Sequence, residues 1–157
     1  MRKRFSTILS NLHQIMWREF NRNSMEDIRL LESICRNSGS PSVKKEAAYI
    51  RRAIYLTKDK PQNLWCWIYD DCAFYMCTRC KKHIRGILTV VRADMHRKGL
   101  GRLVNNHRLI MMKRAGIDTF KFRTNQNEEA VKFWTAQGAR IVDVNGNDYE
   151  MELKIIL

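Results

Sequence analysis

The stretch HRKGLGRLV, His96 to Val104, places the cations Arg97, Lys98 and Arg102 around two glycines, Gly99 and Gly101. It follows the apolar run HIRGILTVV and precedes apolar residues at helical spacing. A turn that leads from a strand into a helix exposes backbone N–H groups with no intrahelical partner, and the helix dipole favours negative charge at that end. Glycine lets the backbone approach a ligand because no Cβ intervenes. The chemistry these residues can do together is to hold an anion. Their spacing matches neither the six-residue dinucleotide fingerprint nor the lysine-terminated phosphate loop.

A second constellation, CTRCKKH, sets Cys77, Cys80 and His83 at a spacing that can aim ligands at zinc. No second ligand pair matches it, and Cys66, Cys72 and Cys77 fall in strand-like apolar runs. A free thiol there behaves as a small core residue. The expectation is buried, reduced cysteines and no metal, with Cys77–Cys80 also a poor disulfide in a reducing compartment.

Charge bounds the partners. The net charge is +13, and the segment from Arg79 to Arg114 holds 11 Lys or Arg against one acid, Asp94. A basic belt centred on the two glycines suits an anionic ligand, nucleic acid or a nucleic-acid-bound protein; the plainer reading is a solvated, repulsive surface. At 157 residues with 45% hydrophobic content, the chain fits one globular domain. No apolar run is long enough to span a bilayer, and the expected location is the cytoplasm.

A basic extension at 1–14 with helical spacing precedes a strand from about Ile15 to Phe20. Ser24 opens one helix, and Ser40 with Pro41 at the first helical position opens another. LWCWIY and CAFYMC flank Asp70-Asp71 as a hairpin, and HIRGILTVV is a third strand. A helix from about Gly101 to Arg114 stops at Gly116, and IDTFKF is a strand. NEEAVKFWTAQG is a short helix, and Asn145-Gly146 separates ARIVDV from DYEMELKI. The domain, 15–157, is α/β (α+β): one mixed, mostly antiparallel sheet of six to seven strands flanked by helices.

In this order the chain resembles the GNAT N-acetyltransferase superfamily. That family's signature, Gln/Arg-x-x-Gly-x-Gly/Ala, falls on His96 to Gly101, and its later block falls on Asn127, Ala130, Phe133, Trp134 and Gly138. The resemblance implies a GNAT-like fold and acetyl-CoA as co-substrate. It implies cofactor contacts from Val90, Val91, His96, Arg97, Lys98, Gly99, Leu100, Gly101, Arg102, Asn127 and Trp134. His96 replaces the signature's Gln or Arg, and Trp134 stands where many members carry a thiolate-protonating tyrosine. An indole N–H is a donor without useful acidity.

The implied reaction is attack of a neutral amine on a thioester, which needs a base for the amine proton. The family often keeps a Glu on the fourth strand, whereas HIRGILTVVR has no acid. The candidates are Asp94 and Glu150, with Tyr149 as a substitute acid; Asp70, Asp71 and His96 are weaker. The expected activity is acyl-CoA-dependent N-acyl transfer to an unidentified amine. Two other readings stay open: a nucleic-acid modifier on the same fold, acting on a base or a charged tRNA, and an inactive CoA-binding or interaction module. A dimer is also left open.

Overall fold

Local chemistry accounts for most element boundaries in the computed structural model of the chain, which describes residues 16–157. The 1–14 extension with its helical spacing, and Ile15, lie outside the described residues. Strand β1 is Trp17–Glu19. Helix α1, Met25–Arg36, starts where Ser24 Oγ accepts from the Asp27 N–H at 3.2 Å. Helix α2 is Val43–Leu56 and begins two residues beyond Pro41. The reason is a chain of serine turns: Ser38 Oγ accepts from the Ser40 N–H, and Ser40 Oγ from the Ser42 N–H. These bonds hold the backbone in a turn through the proline and delay the helix.

Strands β2, Leu64–Tyr69, and β3, Ala73–Cys80, join through Asp70 and Asp71, both left-handed at φ 44° and 50°. That conformation is what a two-residue hairpin turn demands, and Asp tolerates it. Strand β4 is His83–Val91, and helix α3 is Leu100–Arg114. Strand β5, Thr119–Asn125, runs three residues past Phe122 because Arg123, Thr124 and Asn125 find partners on the last strand. Helix α4, Glu128–Ala136, precedes strands β6, Arg140–Asn145, and β7, Asp148–Lys154.

The seven strands form one sheet in the order β1-β2-β3-β4-β5-β7-β6. Every pairing is antiparallel except β4 with β5. Alternation sends Phe74, Met76 and Val90 to one face, where they pack with Leu31, Ile34 and Ile50 of α1 and α2. Tyr75, Cys77, Ile84, Phe120 and Phe122 go to the other face, with Val104 and Met112 of α3.

Two features shape the middle of the sheet. Register between β3 and β4 slips between the pairs Met76↔Leu88 and Cys77↔Gly86, so Ile87 is an extra residue in β4. The parallel pairing of β4 with β5 covers only His83↔Thr119, Ile84↔Phe120 and Arg85↔Lys121. Past Arg85 the two strands part, and the bulge at Ile87 bends β4 at the root of the opening.

Candidate active site

The parting of β4 and β5 leaves the later part of β4 without a strand partner on the β5 side. Beside it lies a cleft of about 620 Å³ lined by Thr89 and Val91 of β4, the turn from Met95 to Arg102, and Phe133 of α4. The turn is fixed from within. His96 Nε2 lies 2.8 Å from the Val91 carbonyl oxygen, so that nitrogen carries the proton and donates. Arg97 at φ 61° and Gly99 at φ 77° both take left-handed conformations, and α3 then begins at Leu100 with no side-chain cap. Its first N–H groups are available to a ligand.

The two glycines have different explanations. Gly99 is demanded by its backbone angle. Gly101 is not, because a Cβ there would meet only the Phe133 ring, at 3.7 Å, an ordinary contact. Glycine within a helix costs roughly 0.5–1 kcal/mol against alanine. Packing does not require that cost at Gly101, and the bare first turn leaves room for close approach of a ligand.

Of the residues expected at the cofactor site, Val91, His96, Arg97, Gly99, Leu100, Gly101 and Arg102 line the cleft together. Lys98 stands exposed on the same turn. Val90 turns its side chain into the opposite core and pairs its backbone with Phe74 of β3, so it offers the cleft neither. Asn127 caps α4, its Oδ1 accepting from the Glu129 N–H at 2.8 Å. Trp134 packs on Phe122 at 4.2 Å between centroids, while its neighbour Phe133 faces the cleft.

The proton-handling candidates are scattered. Asp94 pairs with Arg92 at 2.6 Å, and that hydrogen bond holds its carboxyl below the usual range. Glu150 lies on β7 between Arg85, at 3.2 Å, and Arg123. Burial alone would raise the Glu150 pKa, but the two guanidinium groups outweigh it and hold the carboxyl below its ordinary value. Tyr149 packs partly buried against the core under α3. Asp70 and Asp71 are turn residues beside the Val91 end of β4, with Asp71 3.4 Å from Arg18.

Zinc ligation finds no geometry. Cys77 and Cys80 are three apart on a strand and so face opposite sides; Cys77 is buried and Cys80 exposed. Among the described residues no group of three or more His, Cys, Asp or Glu could hold a metal ion. The basic belt is also divided. Arg97, Lys98 and Arg102 sit at the cleft, but Arg79, Lys81 and Lys82 lie where β4 begins, and Lys113 and Arg114 where α3 ends. β4 carries the chain to the cleft and α3 carries it away, so those five lie away from the cleft.

The sequence reading missed Thr89, Met95, Phe133 and, behind them, Arg108. Arg108 is fully buried under β4. Its signal is the fourfold spacing Leu100, Val104, Arg108, Met112, a buried helical stripe with one arginine in it.

The chain is similar to the PaiA N-acetyltransferase of Thermoplasma acidophilum, solved with coenzyme A: TM-score 0.69 and 16% identity over 88% of this chain and 99% of that one. It is similar to the ribosomal-protein-S18-alanine N-acetyltransferase of Escherichia coli: TM-score 0.67 and 15% identity over 90% and 96%. An aminoglycoside 6'-N-acetyltransferase complexed with coenzyme A gives TM-score 0.67 and 16% identity over 90% and 98%. No protein-family model matches the sequence, and no curated protein does. The fold is that of the GNAT N-acetyltransferases. Among the described residues, no helix is long and apolar enough to cross a membrane.

Proposed function

We propose that this protein is an acyl-CoA-dependent N-acyltransferase that moves an acetyl group to an amine. The observation that carries the reading is the joining of two features in one cleft. The unpaired edge of β4 leads directly into the cationic turn and the uncapped start of α3. An elongated ligand with amides in its arm and a diphosphate at its end fits that sequence of surfaces. CoA supplies an acyl group already activated as a thioester.

The protein's residues divide the work. Backbone N–H groups of Leu100, Gly101 and Arg102 take the diphosphate oxygens, with Arg97, Lys98 and Arg102 supplying charge. Backbone groups of Thr89 and Val91, which point away from β3, pair with the amide arm in the manner of an added strand. His96 keeps the turn closed through Val91. Asp94 and Glu150 are paired with arginines and no carboxylate is among the residues lining the cleft, so in this reading the amine proton passes to solvent water.

Calorimetric titration with acetyl-CoA, on the native chain and on Gly101→Asp, tests the reading. Saturable binding to the native chain, weakened at least tenfold in the variant, is expected, because a carboxylate at that position repels a diphosphate. Release of free thiol in the presence of a panel of amines then identifies the acceptor class. Absence of acetyl-CoA binding to the native chain overturns the assignment.

A further inference from the structure

Arg108 is a buried cation without a counter-ion. Its side chain has no exposed surface and its Nε has no hydrogen-bond partner. No carboxylate forms a salt bridge with it among the described residues, and residues 1–15 contain no Asp or Glu. Its surroundings are otherwise complete. The guanidinium lies 4.4 Å from the Phe120 centroid, 5.0 Å from Tyr75 and 5.9 Å from Trp134. Nη1 donates to Asn105 Oδ1 at 3.3 Å. Of the ionisable groups facing it, burial pushes the Tyr75 hydroxyl up and the Cys77 thiol up, the latter only partly offset by Arg108 itself. Both therefore stay neutral and cancel no charge.

One contact leads outward. Nη2 donates to Thr89 Oγ1 at 2.6 Å, and Thr89 is an exposed residue of the cleft wall. Because that oxygen accepts from Arg108, its own proton is directed elsewhere, and no acceptor for it lies among the described residues. The result is a hydroxyl donor, polarised from behind by a full charge and open to the cleft. A buried, unneutralised cation is costly unless negative charge is brought to it, and negative charge that forms only during a reaction meets that condition.

We propose that Thr89 is the hydrogen-bond donor to the sulfur that leaves the acyl carbon, with Arg108 the positioning residue that holds the Thr89 oxygen. This rests on the acyl-CoA reading above and assigns the leaving-group side of that reaction. The amine nitrogen forms its bond to the carbonyl carbon while the carbon–sulfur bond breaks. The electron pair departs on sulfur, and the amine proton goes to solvent. The thiolate accepts a hydrogen bond from Thr89 without taking its proton, and Arg108 supplies the balancing charge. No acid is then needed where Trp134 offers none.

The test is the ionisation of the thiol of CoA, the product, bound to the full chain and followed by thiolate ultraviolet absorbance across pH. Binding is verified separately by calorimetry. In the native protein the bound thiol should titrate about one pH unit or more below free CoA, as expected for an anion beside a buried cation and a donor. Thr89→Ser should keep that shift, and Thr89→Val and Arg108→Met should lose most of it. His96, Arg97 and Arg102 face the same cleft and are untouched in all three variants, so they cancel in the comparison. CoA that binds with an unshifted thiol overturns the assignment of Thr89, as does a shift that survives Thr89→Val. Failure of the native chain to bind CoA overturns the acyl-CoA reading and this inference with it. Thr89→Val keeps Arg108 in place, so a folding defect of Arg108→Met leaves the comparison intact.

Discussion

Gly86 and Phe120 meet at the root of the opening between β4 and β5: a Cβ on Gly86 would lie 2.9 Å from the Phe120 ring and 3.1 Å from Phe122 Cβ. Gly86 thus lets an aromatic ring close under β4 one residue before Ile87 bulges out of register. The ring fills the space where the two strands begin to part. Packing and cleft shape are therefore set at the same point.

Gly86→Ala is expected to cost about 1–3 kcal/mol, the usual penalty for an added methyl in a closed core. Chemical denaturation reads this as a lower midpoint at unchanged slope. Because the clash is with Phe120, combining it with Phe120→Leu should recover part of the loss. Equal and additive losses in the double variant would show that the ring is not the obstacle.

Arg97, Lys98 and Arg102 are exposed, and each should contribute modestly to acyl-CoA binding. Alanine at any one position is expected to weaken acetyl-CoA by about twofold to fivefold, since exposed charge contacts are worth about 0.5–1 kcal/mol. Raising ionic strength should weaken the native protein more than the triple variant, because screening acts on charges that the variant lacks. Calorimetry at two salt concentrations measures both effects.

Much of this architecture is legible in the sequence where the local signal and the tertiary environment agree. β4 occupies His83–Val91 because its β-branched run is bounded by Lys81-Lys82 and by the Arg92 turn. The Asp70-Asp71 hairpin and the Gly116 stop, at φ 69°, follow from backbone chemistry alone. Disagreement starts where packing overrides pattern. Val104 and Met112 of α3 are buried as apolar spacing suggests, but the same face also carries Asn105, His107 and Arg108 while Ile110 is exposed, so apolar spacing traces only part of the buried side of that helix. Trp134 rather than Phe133 turns inward because Phe120 and Phe122 already form an aromatic wall there. The short β4–β5 pairing belongs to no single segment and needs both strands placed before it can be seen.

The five cysteines should behave as one reactive thiol and four protected ones. Cys35, Cys66, Cys72 and Cys77 are buried, and only Cys80 is exposed. Burial, with Glu46 alongside, pushes the Cys35 pKa up to about 12. Since the thiolate is the reactive form, both access and ionisation protect it. A maleimide reagent should label the native protein once, at Cys80, and label all five after denaturation. Prompt labelling at two or more sites without denaturant would contradict the burial of Cys35, Cys66, Cys72 or Cys77, whichever is labelled.

Glu150 should tie stability to pH in the acid range. Its folded pKa is depressed by Arg123 and Arg85 below the ordinary carboxylate value of 4.5. A depressed folded pKa means that the unfolded state takes up the proton first as pH falls. The stabilisation is therefore fully present above about 4.5 and is lost as pH drops through the lower, folded value. Both arginines are more than a third exposed, so solvent screening keeps the contribution of the two contacts small. Glu150→Gln should be slightly less stable than the native chain at neutral pH, with the gap closing in strong acid. A carboxylate so held is already ionised at neutral pH and has little affinity for another proton. The same substitution should accordingly leave the acid limb of the pH–rate profile for acyl transfer where it was, and a displaced limb would make Glu150 the base.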